Sequence, residues 1–241
     1  MPASSCQRTC GSMNVLAFDT CFGALSVAVR CCSDGEWRQS EGYELRTTGH
    51  AERLFPMMQD VLKESGIELA AIDRIAVTLG PGTFTGVRVG IAAARGLAVA
   101  LSKPVVGMTS LAAMAHRADA LLGSERAGRP LMVAVDARRG MVYLQIFGDG
   151  ILRAGPPHLA TPADAARLIG EQNIVAVGSG AALVAAMAGS NIEVRLTDLQ
   201  PHAGSLAILA PCLTPISPVK PVYLREPDVK PNADAPIRGI P

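Results

Sequence analysis

Two aspartates at matching places are the first residues in this chain that could do chemistry. Asp19 closes the apolar run Asn14-Val15-Leu16-Ala17-Phe18 and is followed by Thr20, and Asp136 closes Leu131-Met132-Val133-Ala134-Val135 and is followed by Ala137-Arg138-Arg139. A carboxylate at the end of a strand can hold a metal-bound phosphate, and a guanidinium beside it can meet the phosphate itself. Asp19, Thr20, Asp136 and Arg138 are therefore the candidate nucleotide- or phosphate-binding residues. A local reading competes: each aspartate caps its own turn, and the arginines belong to a solvated loop. The four histidines, His50, His116, His158 and His202, include no pair four residues apart, so no helix offers two imidazoles to a metal. No Ser-His-Asp or Cys-His constellation can be argued from local sequence. Neither catalytic residues nor metal ligands are assigned.

The second suggestive stretch is Gly80-Pro81-Gly82-Thr83-Phe84-Thr85-Gly86-Val87-Arg88-Val89-Gly90. Its free backbone N–H groups could cradle an anion. No Gly-Lys-Ser/Thr follows, however, and the spacing is not the dinucleotide fingerprint. A helix is predicted from about Thr85 to Leu101, and Gly86, Gly90, Ala94 and Ala98 fall along one side of it. A face of glycine and alanine admits another backbone very closely. That suits either internal packing or a docked partner. In the docking reading Leu54, Met58, Val87 and Ile91 supply the apolar area that drives association.

The elements that must position these residues follow from pattern. Strands are expected at Asn14 to Thr20, Ala24 to Arg30 and Trp37 to Leu45. A helix follows from His50 to Ser65, with Ala51, Leu54, Phe55, Met58, Val61 and Leu62 on one face, Pro56 inside and Gly66 as C-cap. Next come a strand from Ile72 to Leu79, the glycine loop and its helix, a strand from Pro104 to Met108 and a helix from Ser110 to Leu122. Gly123 to Arg129 reads as a linker. The opening pattern then returns: strand, Asp, a turn with glycine four residues on (Gly23, Gly140), and another apolar strand, Leu25 to Val29 or Val142 to Phe147. Two halves built on one starting hairpin are the natural reading, hence a duplicated α/β fold. Helices at Ala163 to Ile169, Ala181 to Met187 and Leu206 to Ala210, and a strand at Ile174 to Val177, complete the second half. From Pro211 the proline-rich tail is expected to be extended or loose.

Composition agrees with a packed α/β protein: 241 residues, 49% apolar, 4% aromatic, formal net charge +1. A near-neutral balance does not mark a free-standing nucleic-acid binder. No apolar run reaches the ~18 residues that span a bilayer, so no membrane segment is expected. Met1 to Ser12 is polar and patternless, without the apolar stretch of a signal peptide. It reads as a disordered extension, or Met13 as the natural start. Six scattered cysteines with no Cys-x-x-Cys pair suggest reduced thiols in a cytoplasmic protein.

Several stretches together resemble the TsaB (YeaZ) family: Leu16 to Thr20, His50-Ala51-Glu52-Arg53-Leu54, Gly80 through Gly90, Asp136-Ala137-Arg138-Arg139 with Val142-Tyr143, and Pro221-Val222-Tyr223-Leu224-Arg225. They occur in the family's order and spacing from Met13 to Arg225. The resemblance implies an actin-like, Hsp70-like (ASKHA) fold of two ribonuclease-H-like halves. These are placed at 13–110 and 111–225, with the helix near 202–212 packing back on the first, between an extension at 1–12 and a tail at 226–241. It also implies a non-catalytic scaffold for making N6-threonylcarbamoyladenosine in tRNAs that read codons beginning with A. The TsaD-like paralogue would carry the metal and transfer the group. A TsaE-like ATPase joins the pair, and tRNA is met through the complex, so this chain needs no cofactor of its own and ATP and metal belong to the partner proteins. Docking would use the helix from His50 and the central helix, and the same face could instead form a homodimer. Where the family usually has serine after Asp-Thr, this chain has Cys21, which weakens a phosphate loop there. A small-molecule kinase, with Asp19 and Asp136 holding metal and phosphate, is the alternative. A metallopeptidase is disfavoured by the histidine spacing.

Overall fold

A computed structural model describes residues 13–225 apart from Asp34, Asp149 and Ser190. The expected extension at 1–12 and tail at 226–241 lie outside the described residues. The elements run β1 (Asn14–Asp19), β2 (Ala24–Ser33), β3 (Glu36–Leu45), α1 (His50–Ser65), β4 (Arg74–Thr78), α2 (Phe84–Leu101), β5 (Val105–Met108) and α3 (Ser110–Leu122). The second series is β6 (Leu131–Asp136), β7 (Val142–Phe147), β8 (His158–Ala160), α4 (Pro162–Ile169), β9 (Ile174–Val177), α5 (Ala181–Ala185), β10 (Ile192–Arg195) and α6 (Ala203–Leu209).

Two five-stranded sheets result, ordered β3-β2-β1-β4-β5 and β8-β7-β6-β9-β10. They are the same sheet built twice. In each, the first strand pairs antiparallel with the second and parallel with the fourth, so that Leu16 lies opposite Val29 and Ile75 while Leu131 lies opposite Phe147 and Val175. Asp19 and Asp136 occupy equivalent ends of the two central strands.

Alternation along these strands decides the layers. Leu16, Phe18, Val27, Ile75 and Val77 pack with Leu54, Met58, Val61, Val87 and Ile91, so α1 and α2 cover one face of the first sheet. Val15, Ala17, Ala28 and Ala76 point the other way. They share one core with α3, α6 and the facing strand residues Leu131, Val133, Val135 and Val175 of the second sheet. Met132, Ala134, Leu144 and Ala176 close the far side under α4 and α5. Helices α3 and α6 therefore lie between the sheets, and α6, although late in the chain, packs on β1, β2 and β4.

Helix starts follow side-chain capping. Thr83 Oγ1 accepts from Gly86 N at 3.2 Å, Thr109 Oγ1 from Ala112 N at 3.0 Å and Thr161 Oγ1 from Asp164 N at 3.1 Å. Helix α1 continues through Pro56 and ends at Gly66, whose φ of 69° needs no side chain.

Several expectations are corrected. β4 begins at Arg74 rather than Ile72, because Leu69–Ala71 forms a short 3-10 turn first. The edge strands β8 and β10 are absent from the sequence reading, being three or four residues long and largely half-buried, without an apolar run to mark them. The tail is not loose as far as Arg225: Ile216 N donates to Val105 O, Arg95 Nε to Val219 O, and Val222 N to Leu79 O. Cys212 is disulfide-bonded, against the expected reduced state, while Cys21, Cys31 and Cys32 are free thiols. Helix α2, with 18 residues at a mean hydropathy of 1.4, is long and apolar enough to cross a membrane by length and composition. It packs here as a core helix, with Val87, Ile91 and Ala94 buried and Arg88 and Arg95 on its outer side.

Candidate functional site

The two central strands end on either side of a cleft of about 770 Å³. The turn after β1 brings Phe22 and Gly23 to it, the loop before α2 brings Pro81 to Phe84, and the turn after β6 brings Asp136 to Arg138. Tyr143 of β7, Ser179, Gln200 and the returning segment Val222 to Arg225 complete the walls.

The equivalent aspartates have different surroundings. Asp136 faces the cleft. Its Oδ1 accepts from Arg138 N at 2.8 Å, its Oδ2 lies 3.6 Å from Arg138 Nη1, and its own N–H donates to Ser179 Oγ at 3.1 Å. Arg138, Arg139 and Gly140 follow with φ of 63°, 55° and 71°, a left-handed run that makes the turn tight and projects a largely solvated Arg138 side chain. Asp19 is fully buried and does not line the cleft. Thr78 Oγ1 of the neighbouring β4 donates to its Oδ1 at 2.5 Å and Cys21 N–H approaches the same oxygen at 3.4 Å, while Oδ2 has no hydrogen-bond partner among the described residues. Burial pushes its carboxyl up to about 6 against these hydrogen bonds. The same burial, with Asp19 beside it, raises the Cys21 thiol, whose Sγ sits 3.2 Å from Thr78 Oγ1.

Thr20 is buried as well. Its hydroxyl donates to Gly86 O at 2.6 Å and ties β1 to α2. A Cβ on Gly86 would stand 2.0 Å from Thr20 O, and one on Gly90 2.7 Å from Thr20 Oγ1. The small-residue stripe is therefore the seat of α2 on its own sheet. Of the residues expected at a partner interface, Leu54, Met58, Gly86, Val87, Gly90, Ile91 and Ala94 are buried within the chain and Ala98 is half-buried. The physical reason is the one that made the stripe look like a docking face: it allows close backbone approach, and the backbone that approaches is that of Thr20. What α1 and α2 expose instead includes Phe55, at 50%, and Val99, at 83%.

The cleft thus joins two of the four expected phosphate-site residues, Asp136 and Arg138, and leaves out Asp19 and Thr20. Tyr143, Tyr223 and Arg225 are marked in the sequence only as parts of motifs, without a role, and Phe22, Ser179 and Gln200 carry no local signal. Gln200 arrives from beyond β10, where its Oε1 accepts from Gly23 N at 3.0 Å and braces the first turn against the second half.

A family model described as TsaD, tRNA N6-adenosine threonylcarbamoyltransferase, matches residues 44–191. The Escherichia coli protein named tRNA threonylcarbamoyladenosine biosynthesis protein TsaB is 41% identical over 131 residues, 54% of this chain and 53% of that one. An uncharacterised Mycobacterium tuberculosis protein is 36% identical over 188 residues, 76% of this chain and 79% of its own. Among solved structures, YeaZ from Pseudomonas aeruginosa matches with a TM-score of 0.75 at 32% identity, covering 88% of this chain and all, 100%, of that one. Two sheets of the same strand order, with a cleft at the ends of their central strands, make this an actin-like protein of two ribonuclease-H-like halves. The chain belongs to the TsaB (YeaZ) family, which is related to TsaD. The match spans about half the length of the curated TsaB relatives.

Proposed function

We propose that this chain is a non-catalytic subunit of the machinery that places threonylcarbamoyl on adenosine in tRNA, pairing with a TsaD-like catalytic subunit. The TsaB relatives are named for threonylcarbamoyladenosine biosynthesis, and the family model is that of the transferase. The observation that carries the non-catalytic part is the state of Asp19. In a kinase of this architecture the first strand's carboxylate would have to reach the nucleotide, whereas here it is sealed behind Thr78 and Cys21. The cleft keeps one of its two carboxylates, and that one is paired with Arg138. In this reading ATP and metal are handled by the partner proteins, a TsaD-like subunit and a TsaE-like ATPase, and the tRNA is held by the complex.

The partner meets the solvent sides of α1 and α2. Phe55 and Val99 are exposed there on helices whose opposite sides close the first core, and removing such groups from water supplies association energy of ~25 cal/mol per Å² before the costs of binding. The experiment combines the purified chain with its TsaD-like subunit, the ATPase, threonylcarbamoyl-adenylate and tRNA, and measures modified adenosine. Modification is expected with the full set and not with this chain alone. Val99→Arg and Phe55→Glu should fold normally and fail to co-elute with the TsaD-like subunit. Turnover by the chain alone with ATP and a small-molecule acceptor would overturn the reading in favour of the kinase. A chain that modifies nothing in any combination and binds no TsaD-like subunit would refute both parts.

A further inference from the structure

At the mouth of the cleft the returning segment lays Tyr223 against Phe84 at the start of α2. The ring centroids are 5.8 Å apart and the planes 26° from parallel. The Arg88 guanidinium lies 3.4 Å from the Phe84 centroid, and its Nε donates to the Tyr223 hydroxyl at 2.9 Å. This group is not a core. Phe84 is 47% exposed and Tyr223 43%, and both line the cleft. The arginine covers part of the Phe84 ring and, with the hydrogen bond, holds the two rings in place, so what they leave exposed forms a preset surface at little further entropic cost. Beside it the same segment reaches the second half, where Arg225 Nη2 donates to Arg138 O at 3.3 Å, and this brings two guanidinium-bearing residues to one rim. Among the described lining residues Asp136 is the one carboxylate and Arg138 and Arg225 are the two cations.

Flat aromatic faces next to guanidinium groups suit a polyanion whose unpaired bases can stack. A duplex hides its base faces, and the acidic side chains of a peptide have no ring to stack. Stacking on exposed aromatics, with phosphates following a line of cations, is the general mode for single-stranded nucleic acid. We propose that the Phe84–Tyr223 platform, with Arg138 and Arg225, binds unpaired nucleotides of an RNA. This rests on the tRNA reading above and deepens it: the chain touches the RNA itself, at the cleft mouth, where Phe84 opens α2, about four helical turns from Val99 on the face assigned to the protein partner.

The test uses the full chain, first without partners, and fluorescence anisotropy with a labelled stem-loop RNA, the same sequence annealed to its complement, and ATP as competitor, at two salt concentrations. Stem-loop binding is expected to be at least about fivefold tighter than duplex binding. Tyr223→Leu, which keeps an apolar group and loses the stack, should weaken it roughly fivefold or more, as stacking on one ring is worth about 1–3 kcal/mol. Tyr223→Phe should retain it. Arg138→Ala and Arg225→Ala should each lower the salt dependence by about one phosphate contact. Circular dichroism and co-elution with the TsaD-like subunit are measured on every variant. Unchanged co-elution with lost RNA binding supports the platform. RNA binding that depends on Tyr223 in a chain that binds no TsaD-like subunit supports the platform while the complex reading fails. Equal affinity of Tyr223→Leu and the unaltered chain, equal affinity for duplex, or full displacement by ATP would overturn the proposal.

Discussion

Replacing Asp19 with asparagine should remove a pH dependence that the fold carries at its centre. The Asp19 carboxyl is fully buried, holds one short hydrogen bond from Thr78, and has an oxygen with no partner among the described residues. Its pKa is raised from 3.8 to about 6, with burial as the dominant cause. The folded state therefore holds the Asp19 proton more tightly than the unfolded chain does. The stabilisation this gives is complete below the unfolded value and is lost as pH rises through the folded one. A difference of about two pH units at about 1.4 kcal/mol each amounts to about 3 kcal/mol, lost between roughly pH 4 and pH 6.5. The Asp19→Asn side chain would carry no charge at any of these pH values, so the variant's stability should lack that fall. The new amide oxygen can keep the Thr78 hydrogen bond, but the amide nitrogen would stand where Oδ2 has no partner, at a cost of about 1–3 kcal/mol. The variant is thus expected to be less stable than the parent near pH 4 and equal or better near pH 8. Urea unfolding of both proteins at one-unit steps across that range measures the difference, in which the other titrating groups cancel. Parallel curves would refute the argument, because they would mean that Asp19 titrates alike in folded and unfolded chains, its hydrogen bonds cancelling the effect of burial.

Four further substitutions probe α2 and its seat on the sheet. Gly86→Ala should destabilise by about 3 kcal/mol, because its Cβ would meet the Thr20 carbonyl at 2.0 Å and backbone must move, whereas Gly96→Ala, with nothing within 4 Å of the added atom, should stabilise by up to about 1 kcal/mol; chemical denaturation separates the two. Ala94→Arg should fail to give a cooperatively folding protein by thermal circular dichroism, since Ala94 is fully buried and an arginine there would be an unpaired interior charge. Thr83→Ala should cost about 1 kcal/mol in urea unfolding through loss of the Gly86 N–H cap.

The repeated hairpin is readable because its chemistry is local: apolar alternation, an aspartate at the strand end and a glycine four residues on recur at Asp19 and Asp136, and the two sheets share one strand order. The edge strands β8 and β10 leave no such trace, because an edge needs neither a long run nor full burial. The division of labour between the aspartates cannot be read from either turn. It depends on Thr78, which is 59 residues from Asp19 and becomes its neighbour only because β1 and β4 pair in parallel. Likewise the stripe Gly86, Gly90 and Ala94 announces a close approach of backbones without saying whose. Sequence spacing fixes the face of a helix but not the surface it meets, and Thr20 is the nearer claimant. The cleft mouth combines both cases. Tyr223 and Arg225 belong to a recognisable motif, yet their use depends on the segment from Ile216 to Arg225 being carried back along β5 and α2 by hydrogen bonds from Ile216, Arg95 and Val222. A proline-rich stretch without periodicity reads as loose when its order is supplied entirely by distant partners. The same order brings two rings and two arginines from opposite halves of the chain to one edge.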